Sequence, residues 1–386
     1  MNNRDVLIHR IERSLSDISR AEQAIADMTD VRFRDRMKVR FDIDFANNRK
    51  KSLALLDDVR RETNLAACWR SYATIDADLG ALLDECMSLM HGTLDRQAGL
   101  DDGICDIADA FVEHLCHLAD VSWQRFTVLG GEYLTERTGV VRVRFPAESI
   151  WDLPFLAHEF AHVAEPYIKA DDGESQFEVV ARFLNENAAN AQEQAFLREH
   201  YADMAAVYAV GPMYGWAFIF QQSDPTSAFD LEGGLQTHPS AAKRMHVILR
   251  TFELLDETEP GGGSVFAACR AQMAQLWETT LAAGRKPRKI PKRTVSQLDK
   301  QQAGLFRMID ENLPVLRYAG WERARRLAAQ VAAGNLTPGD GVDIIDVLNA
   351  AWVMRLNQPA ADTFALRHIG TSFEEICQLM ARKGGR

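Results

Sequence analysis

The first 121 residues contain no proline. Inside a helix, proline removes a hydrogen bond and clashes with the preceding turn, so so long a proline-free stretch favours long helices. Apolar residues recur there at helical spacing, as Val6, Ile8, Ile11 and Leu15 and again as Leu53, Leu55, Leu56 and Val59, with charges on the other faces. Residues 4–118 are therefore read as a helical scaffold whose faces pack and carry no chemistry. The texture changes near Ser122. Val141, Val143 and Phe145 alternate with Arg142 and Arg144, the period-two pattern of a half-buried strand, and residues 127–129 are its expected antiparallel partner. Helical patterning resumes near Asp152 and runs almost to the end, broken at Pro260-Gly-Gly-Gly and at the Pro-Gly-Asp-Gly turn 338–341. The expectation is a mainly α (α+β) chain in three parts. These are an N-terminal helical region (1–120), a core with a small antiparallel sheet (121–285), and a basic linker with a C-terminal helical region (286–386).

Composition narrows the function. With 386 residues, 47% of them hydrophobic and 26% charged, the chain can bury a sizeable core and is neither disordered nor collagen-like. Acidic residues outnumber basic ones 55 to 44 and leave a net charge of −11, which argues against nucleic acid and anionic lipid as partners. Residues 285–293 do hold six positive charges, and these are read as an exposed linker. The six cysteines form no C-x-x-C pair, as expected in a reducing compartment. No apolar core follows a basic start at the N-terminus, so no signal peptide is expected. The longest apolar run, 204–220, is interrupted by Gly211, Pro212 and Gly215 and is read as buried core rather than a membrane span. These features predict a soluble, cytoplasmic protein.

The chemistry concentrates in Phe155-Leu-Ala-His158-Glu159-Phe-Ala-His162-Val-Ala-Glu-Pro166, which contains H-E-x-x-H. Residues four apart lie about 40° apart around a helix, so both imidazoles can reach one ion. Glu159, about 100° from His158, is too near to be an ideal ligand but can hold a water on that ion. Apolar or small residues fill the rest of this helix, so its polar groups are predicted to be buried and to need partners that a metal supplies. Downstream, Glu199 and Asp203 share a helix face among Phe196, Ala202, Ala206 and Val207. A buried carboxylate is costly unless paired or metal-bound. Glu199 is assigned as the third ligand, since a catalytic zinc keeps three protein ligands and one open position. Asp203, one turn on, is placed to accept the free N–H of a ligating histidine. Thr237-His238-Pro239 reads by itself as a turn opening a helix, with Arg244 six residues after His238.

Taken in order, H-E-x-x-H, E-x-x-A-D and T-H-P followed by an arginine resemble the CAAX-prenyl and HtpX-type gluzincin zinc metallopeptidases over about residues 123–255. The resemblance implies a zincin-like core with Zn2+ on His158, His162 and Glu199, Glu159 as general base, and Asp203 supporting a ligand. It also implies that His238 and Arg244 stabilise the transition state, and that the strand at 140–145 aligns an extended protein or peptide substrate. The expected function is a soluble zinc endopeptidase, and the helical flanks are the expected place for a regulatory protein partner. The rival expectation is a helical scaffold with a structural or vestigial zinc site. Glu159 separates the two, because a structural site has no use for a base.

Two further groupings stand out. Glu113, His114 and His117 lie on one helix and offer metal-capable groups, although such side chains usually pack or face water. Trp216-Ala-Phe-Ile-Phe220 reads as core beside the site rather than a surface dipping into a membrane. Nothing matches a P-loop, a G-x-S-x-G elbow or a Rossmann fingerprint.

Overall fold

A computed structural model of the chain describes residues 3–61, 64–121, 127–130, 141–144, 149–171, 176–229, 238–259, 263–284, 289–358 and 363–384. Val140, Phe145, Thr237, residues 260–262 and residues 285–288 of the basic segment lie outside this set. Helices dominate the described residues. The chain divides into two compact units, where sequence texture suggested three segments. The first holds residues 1–105 and 126–145, and the second holds 106–125 and 146–386.

In the first unit three long helices pack side by side: α1 (Asn3–Ala26), α2 (Val31–Arg61) and α3 (Leu65–Gln97). One core cluster gathers Leu7, Ile11, Leu55, Leu56 and Val59 with Cys68 and Tyr72. A second gathers Ile18, Phe33, Phe41 and Phe45 with Leu79 and Leu89. The apolar stripe of α1 centres on Leu7, Ile11 and Ile18, with Val6, Ile8 and Leu15 half-buried at its edges. Leu53 is exposed. Strand β1 (Thr127–Gly130) pairs with β2 (Val141–Arg144). The pairing is parallel, Thr127 opposite Val141 and Gly130 opposite Arg144, which corrects the antiparallel pairing expected from sequence. Ten residues separate the strands; a hairpin needs as few as two, whereas a parallel return needs about a dozen. Strand β1 lies against α3 at Gly92, where a Cβ would strike the Leu129 carbonyl, and Arg96 donates to the Thr127 carbonyl at 2.7 Å.

The second unit carries the metal-capable residues. Its helices are α4 (Ile104–Ala119, from Asp106 on), α5 (Phe155–Ala164), α6 (Val179–Asn187), α7 (Ala191–Val210), α8 (Pro212–Ala217), α9 (Ala241–Glu257), α10 (Ala267–Gly284), α11 (Lys292–Asn312), α12 (Trp321–Ala332), α13 (Ile344–Leu356) and α14 (Thr363–Gly384). The small antiparallel sheet lies here, formed by β3 (Lys169–Asp171) and β4 (Gln176–Glu178). Helix α5 packs along α7, and α7 packs on α9. Helix α7 starts at Asn190, whose side chain accepts from the Glu193 amide, the usual Asx cap. From 200 to 210 every residue of α7 is buried. It ends at Gly211, where φ is +67° and a Cβ would meet the Tyr318 ring, so only glycine fits both conditions. Pro212 then opens α8. The α7–α8 corner is pinned by Asn349 of α13, which donates to the Val210 carbonyl at 2.8 Å and accepts from the Met213 amide at 3.0 Å. The C-terminal helices are thus part of the unit that holds the site. Among the described residues no helix is long and apolar enough to cross a membrane.

Candidate metal centre

Helix α5 is short because Pro166 cannot continue it, and the chain leaves through one 3-10 turn at Glu165–Tyr167. Its wall of Phe155, Leu156, Ala157, Phe160, Ala161 and Ala164 is buried. His158 is buried with it, and His162 and Glu159 are half-buried. The small residues let α7 approach, and this brings Glu199 to both histidines. His158 Nε2 lies 3.3 Å from His162 Nε2 and 3.4 Å from Glu199 Oε2, and His162 Nε2 lies 3.5 Å from Glu199 Oε1. Among the described residues these three form the one group of metal-capable side chains whose ligand atoms gather within 4.8 Å. The grouping at Glu113, His114 and His117 does not gather; His114 instead faces Asp343 at 3.8 Å.

The triangle fits a small divalent cation. Ligands at about 2.0–2.1 Å in a tetrahedral shell stand about 3.3 Å from one another. The two imidazole nitrogens are 3.3 Å apart, and each faces a different oxygen of the Glu199 carboxylate, His158 facing Oε2 at 3.4 Å and His162 facing Oε1 at 3.5 Å. The donor set, two imidazoles and a carboxylate, is one that zinc accepts. Glu199 Oε2 and His162 Nδ1 are buried with no partner in good hydrogen-bond geometry; Oε2 faces the His158 and His238 ring nitrogens at 3.4 and 3.5 Å, a polar cluster that a cation would satisfy. Two ring nitrogens facing each other must share a proton or a metal. Burial and then His158 push the His162 pKa down to about 3. Burial would lower His158 too, but hydrogen bonds to Asp203 and Glu199 outweigh it and raise the pKa to about 9. Burial would raise Glu199, yet His158 and His162 bring it down to about 2.

Behind His158 stands a buried network. Asp203 Oδ1 is 3.1 Å from His158 Nδ1, the position expected from sequence. Arg244 clasps Asp203 with both sides of its fork, Nε to Oδ2 at 2.8 Å and Nη2 to Oδ1 at 2.6 Å. Tyr214 of α8 donates to Asp203 Oδ1 at 2.5 Å, lies 3.1 Å from His158 Nδ1 and stacks parallel to the His158 ring. Burial would raise the Asp203 pKa, but Arg244 and then His158 hold it well below the carboxylate range. Asp203 is thus held as an anion facing His158 Nδ1. Tyr214 carries no motif, because it sits within the apolar run 204–220; its one signal is that a buried tyrosine hydroxyl needs a partner.

The two remaining predicted residues separate. Arg244 is buried against Asp203, Tyr214 and the Phe218 ring. His238 is 60% exposed, with Nε2 3.5 Å from Glu199 Oε2. It stands at the rim of the cluster without joining the group of three. Strand β2 belongs to the other compact unit.

Compared with protein-family models, with curated proteins and with solved structures, the chain matches none.

Proposed function

We propose that this chain is a zinc-dependent endopeptidase with a zincin-like core, built on H-E-x-x-H and a downstream glutamate. The observation that carries the reading is the buried cluster in which His158 Nε2 and His162 Nε2 lie 3.3 Å apart and face the two oxygens of Glu199 at 3.4 and 3.5 Å. His158, His162 and Glu199 would hold the ion. A zinc ion held there would supply Lewis-acid chemistry and would lower the pKa of a water towards about 7. Glu159, next to His158 and only half-buried, takes the proton of the attacking water and delivers it to the leaving amine. Asp203 keeps the proton of His158 on Nδ1, leaving Nε2 free as a donor atom. Arg244 neutralises Asp203, and in this reading it acts through that carboxylate rather than on the oxyanion. His238, at the rim beside Glu199, is the cationic or N–H group for the developing oxyanion.

The decisive test pairs metal analysis with N-terminal peptide profiling of cells expressing wild type or Glu159→Gln. One zinc per chain in both proteins, with new N-termini in wild type alone, is expected. Zinc in both with identical N-termini would point to a scaffold with a structural ion.

A further inference from the structure

A second recess lies in the same compact unit, independent of the metal-site reading. It is a cavity of about 540 Å³ between α8, α10 and α13. Its size suits a small organic ligand, since such sites usually span about 300–1,000 Å³. Trp216, Phe220 and Leu276 give it apolar walls, and Gln275, Thr279 and Gln358 add neutral polar groups. Among the described residues that line it, Arg355 is the only charged one.

Arg355 is held in an unusual way. Its guanidinium lies 4.6 Å from the centre of the Trp151 ring, 4.8 Å from Trp352 and 5.2 Å from Phe220. Trp151 and Trp352 meet edge to face at 5.3 Å, which fixes the stack. Three aromatic faces orient the fork of this half-buried arginine, but they do not supply an acceptor. Nη1 is buried with no hydrogen bond. Among the described residues Arg355 joins no ion pair, and the charge of Asp152 favours its cationic form. A guanidinium left cationic, oriented and short of an acceptor beside an apolar cavity is complementary to a carboxylate carried on an apolar body.

We propose that this cavity binds a small amphipathic carboxylate, the carboxyl group on Arg355 and the apolar body against Trp216, Phe220 and Leu276. A single cation with neutral neighbours suits a monoanion; a phosphate dianion would call for more donors and charge. Trp216 lies two residues after Tyr214 on α8, so the ligand would rest against the helix that carries the tyrosine bonded to Asp203.

The test uses the full chain and calorimetry with 4-phenylbutyrate and its uncharged amide. Wild type is expected to bind the acid saturably, one per chain, at least tenfold more tightly than the amide. Arg355→Met is expected to erase that preference. Thr279→Trp, at an exposed position on α10, is expected to weaken the acid at least tenfold by filling the mouth of the cavity. The proposal fails if wild type binds neither compound or binds both equally, if the preference survives Arg355→Met, or if Thr279→Trp leaves binding of the acid unchanged. The comparison of acid with amide needs no variant, so a misfolded Arg355→Met protein would not spare the proposal.

Discussion

Two buried aspartates in the second unit are held by the same residue types. Asp203 takes a tyrosine hydroxyl, from Tyr214, and an arginine fork, from Arg244. Asp346 takes a tyrosine hydroxyl, from Tyr318 at 3.1 Å, and an arginine, Arg323, through Nε at 2.7 Å. Both carboxylates are completely buried, yet they shift in opposite directions. Burial raises both. At Asp203 the buried, doubly bonded Arg244 outweighs burial and the pKa falls. At Asp346 a half-exposed, singly bonded Arg323 does not, Asp343 adds a like charge, and the pKa rises. The surroundings differ as well. Asp346 closes on itself, forming a capping box with Asp343 at the start of α13. Asp203 faces outward to His158, and beyond His158 lie the Glu199 carboxylate and His162. Buried polar residues alone do not mark a functional site. What sets the Asp203 network apart is that it leads through His158 to the metal-capable group of His158, His162 and Glu199.

The sharpest way to break this comparison is to remove the open end. Glu199→Ala is expected to abolish stoichiometric zinc binding, measured by elemental analysis after gel filtration. Asp346→Ala is expected to leave one zinc per chain, whatever it does to stability. Zinc retained by Glu199→Ala would mean that the triangle is not the ligand set. Next in size is Asp203→Asn. It leaves Arg244 buried without its counter-charge, a change that costs about 3–5 kcal/mol. It also unseats the His158 N–H acceptor, for which about a 10–100-fold loss of metal affinity is typical. Denaturant unfolding with chelator present and a competitive zinc titration separate the two effects. A stability loss with unchanged zinc affinity would make Asp203 a second Asp346.

How far the sequence reveals this depends on the kind of signal. The three long helices of the first unit follow from spacing and the absence of proline, because local rules decide them. The pairing direction of β1 and β2 does not, since it is set by where the chain returns and not by alternation within either strand. His158, His162, Glu199 and Asp203 are legible because i, i+4 spacing on a helix fixes which side chains share a face, and apolar neighbours show that the face is buried. Tyr214 and the true partner of Arg244 are not. The first hides in a run of hydrophobic residues, and the second depends on how α9 crosses α7, a tertiary fact with no local trace. The Arg355 stack is silent for the same reason, gathering Trp151, Phe220 and Trp352 from separate parts of the chain.

Tyr214→Phe tests the shared tyrosine. At Asp203 the hydroxyl also lies 3.1 Å from His158 Nδ1. Its loss is expected to cost about 1 kcal/mol of stability, the typical worth of one buried hydrogen bond, and to weaken zinc severalfold. Tyr318→Phe is expected to cost a similar amount and leave zinc affinity unchanged. Equal zinc affinities in the two variants would detach Tyr214 from the site.

The smallest effect is in the sign of a pH slope. A carboxyl whose pKa is raised by folding binds its proton more tightly in the folded state, so its contribution to stability declines as pH rises from the ordinary value of about 3.9 through the raised one. The stability gap between wild type and Asp346→Asn is therefore expected to move against wild type as pH rises above about 4. Asp203 behaves in the opposite sense: its folded pKa lies below the ordinary value, so its contribution is complete above about pH 4 and is lost as pH falls below it. Urea unfolding with chelator present, run from pH 3.5 to 7 on wild type, Asp346→Asn and Asp203→Asn, reads both slopes. A gap that stays flat for Asp346→Asn between pH 4 and 7 would show that Arg323 compensates that carboxylate as fully as Arg244 compensates Asp203. The contrast between the two networks would then rest on the metal-capable group alone.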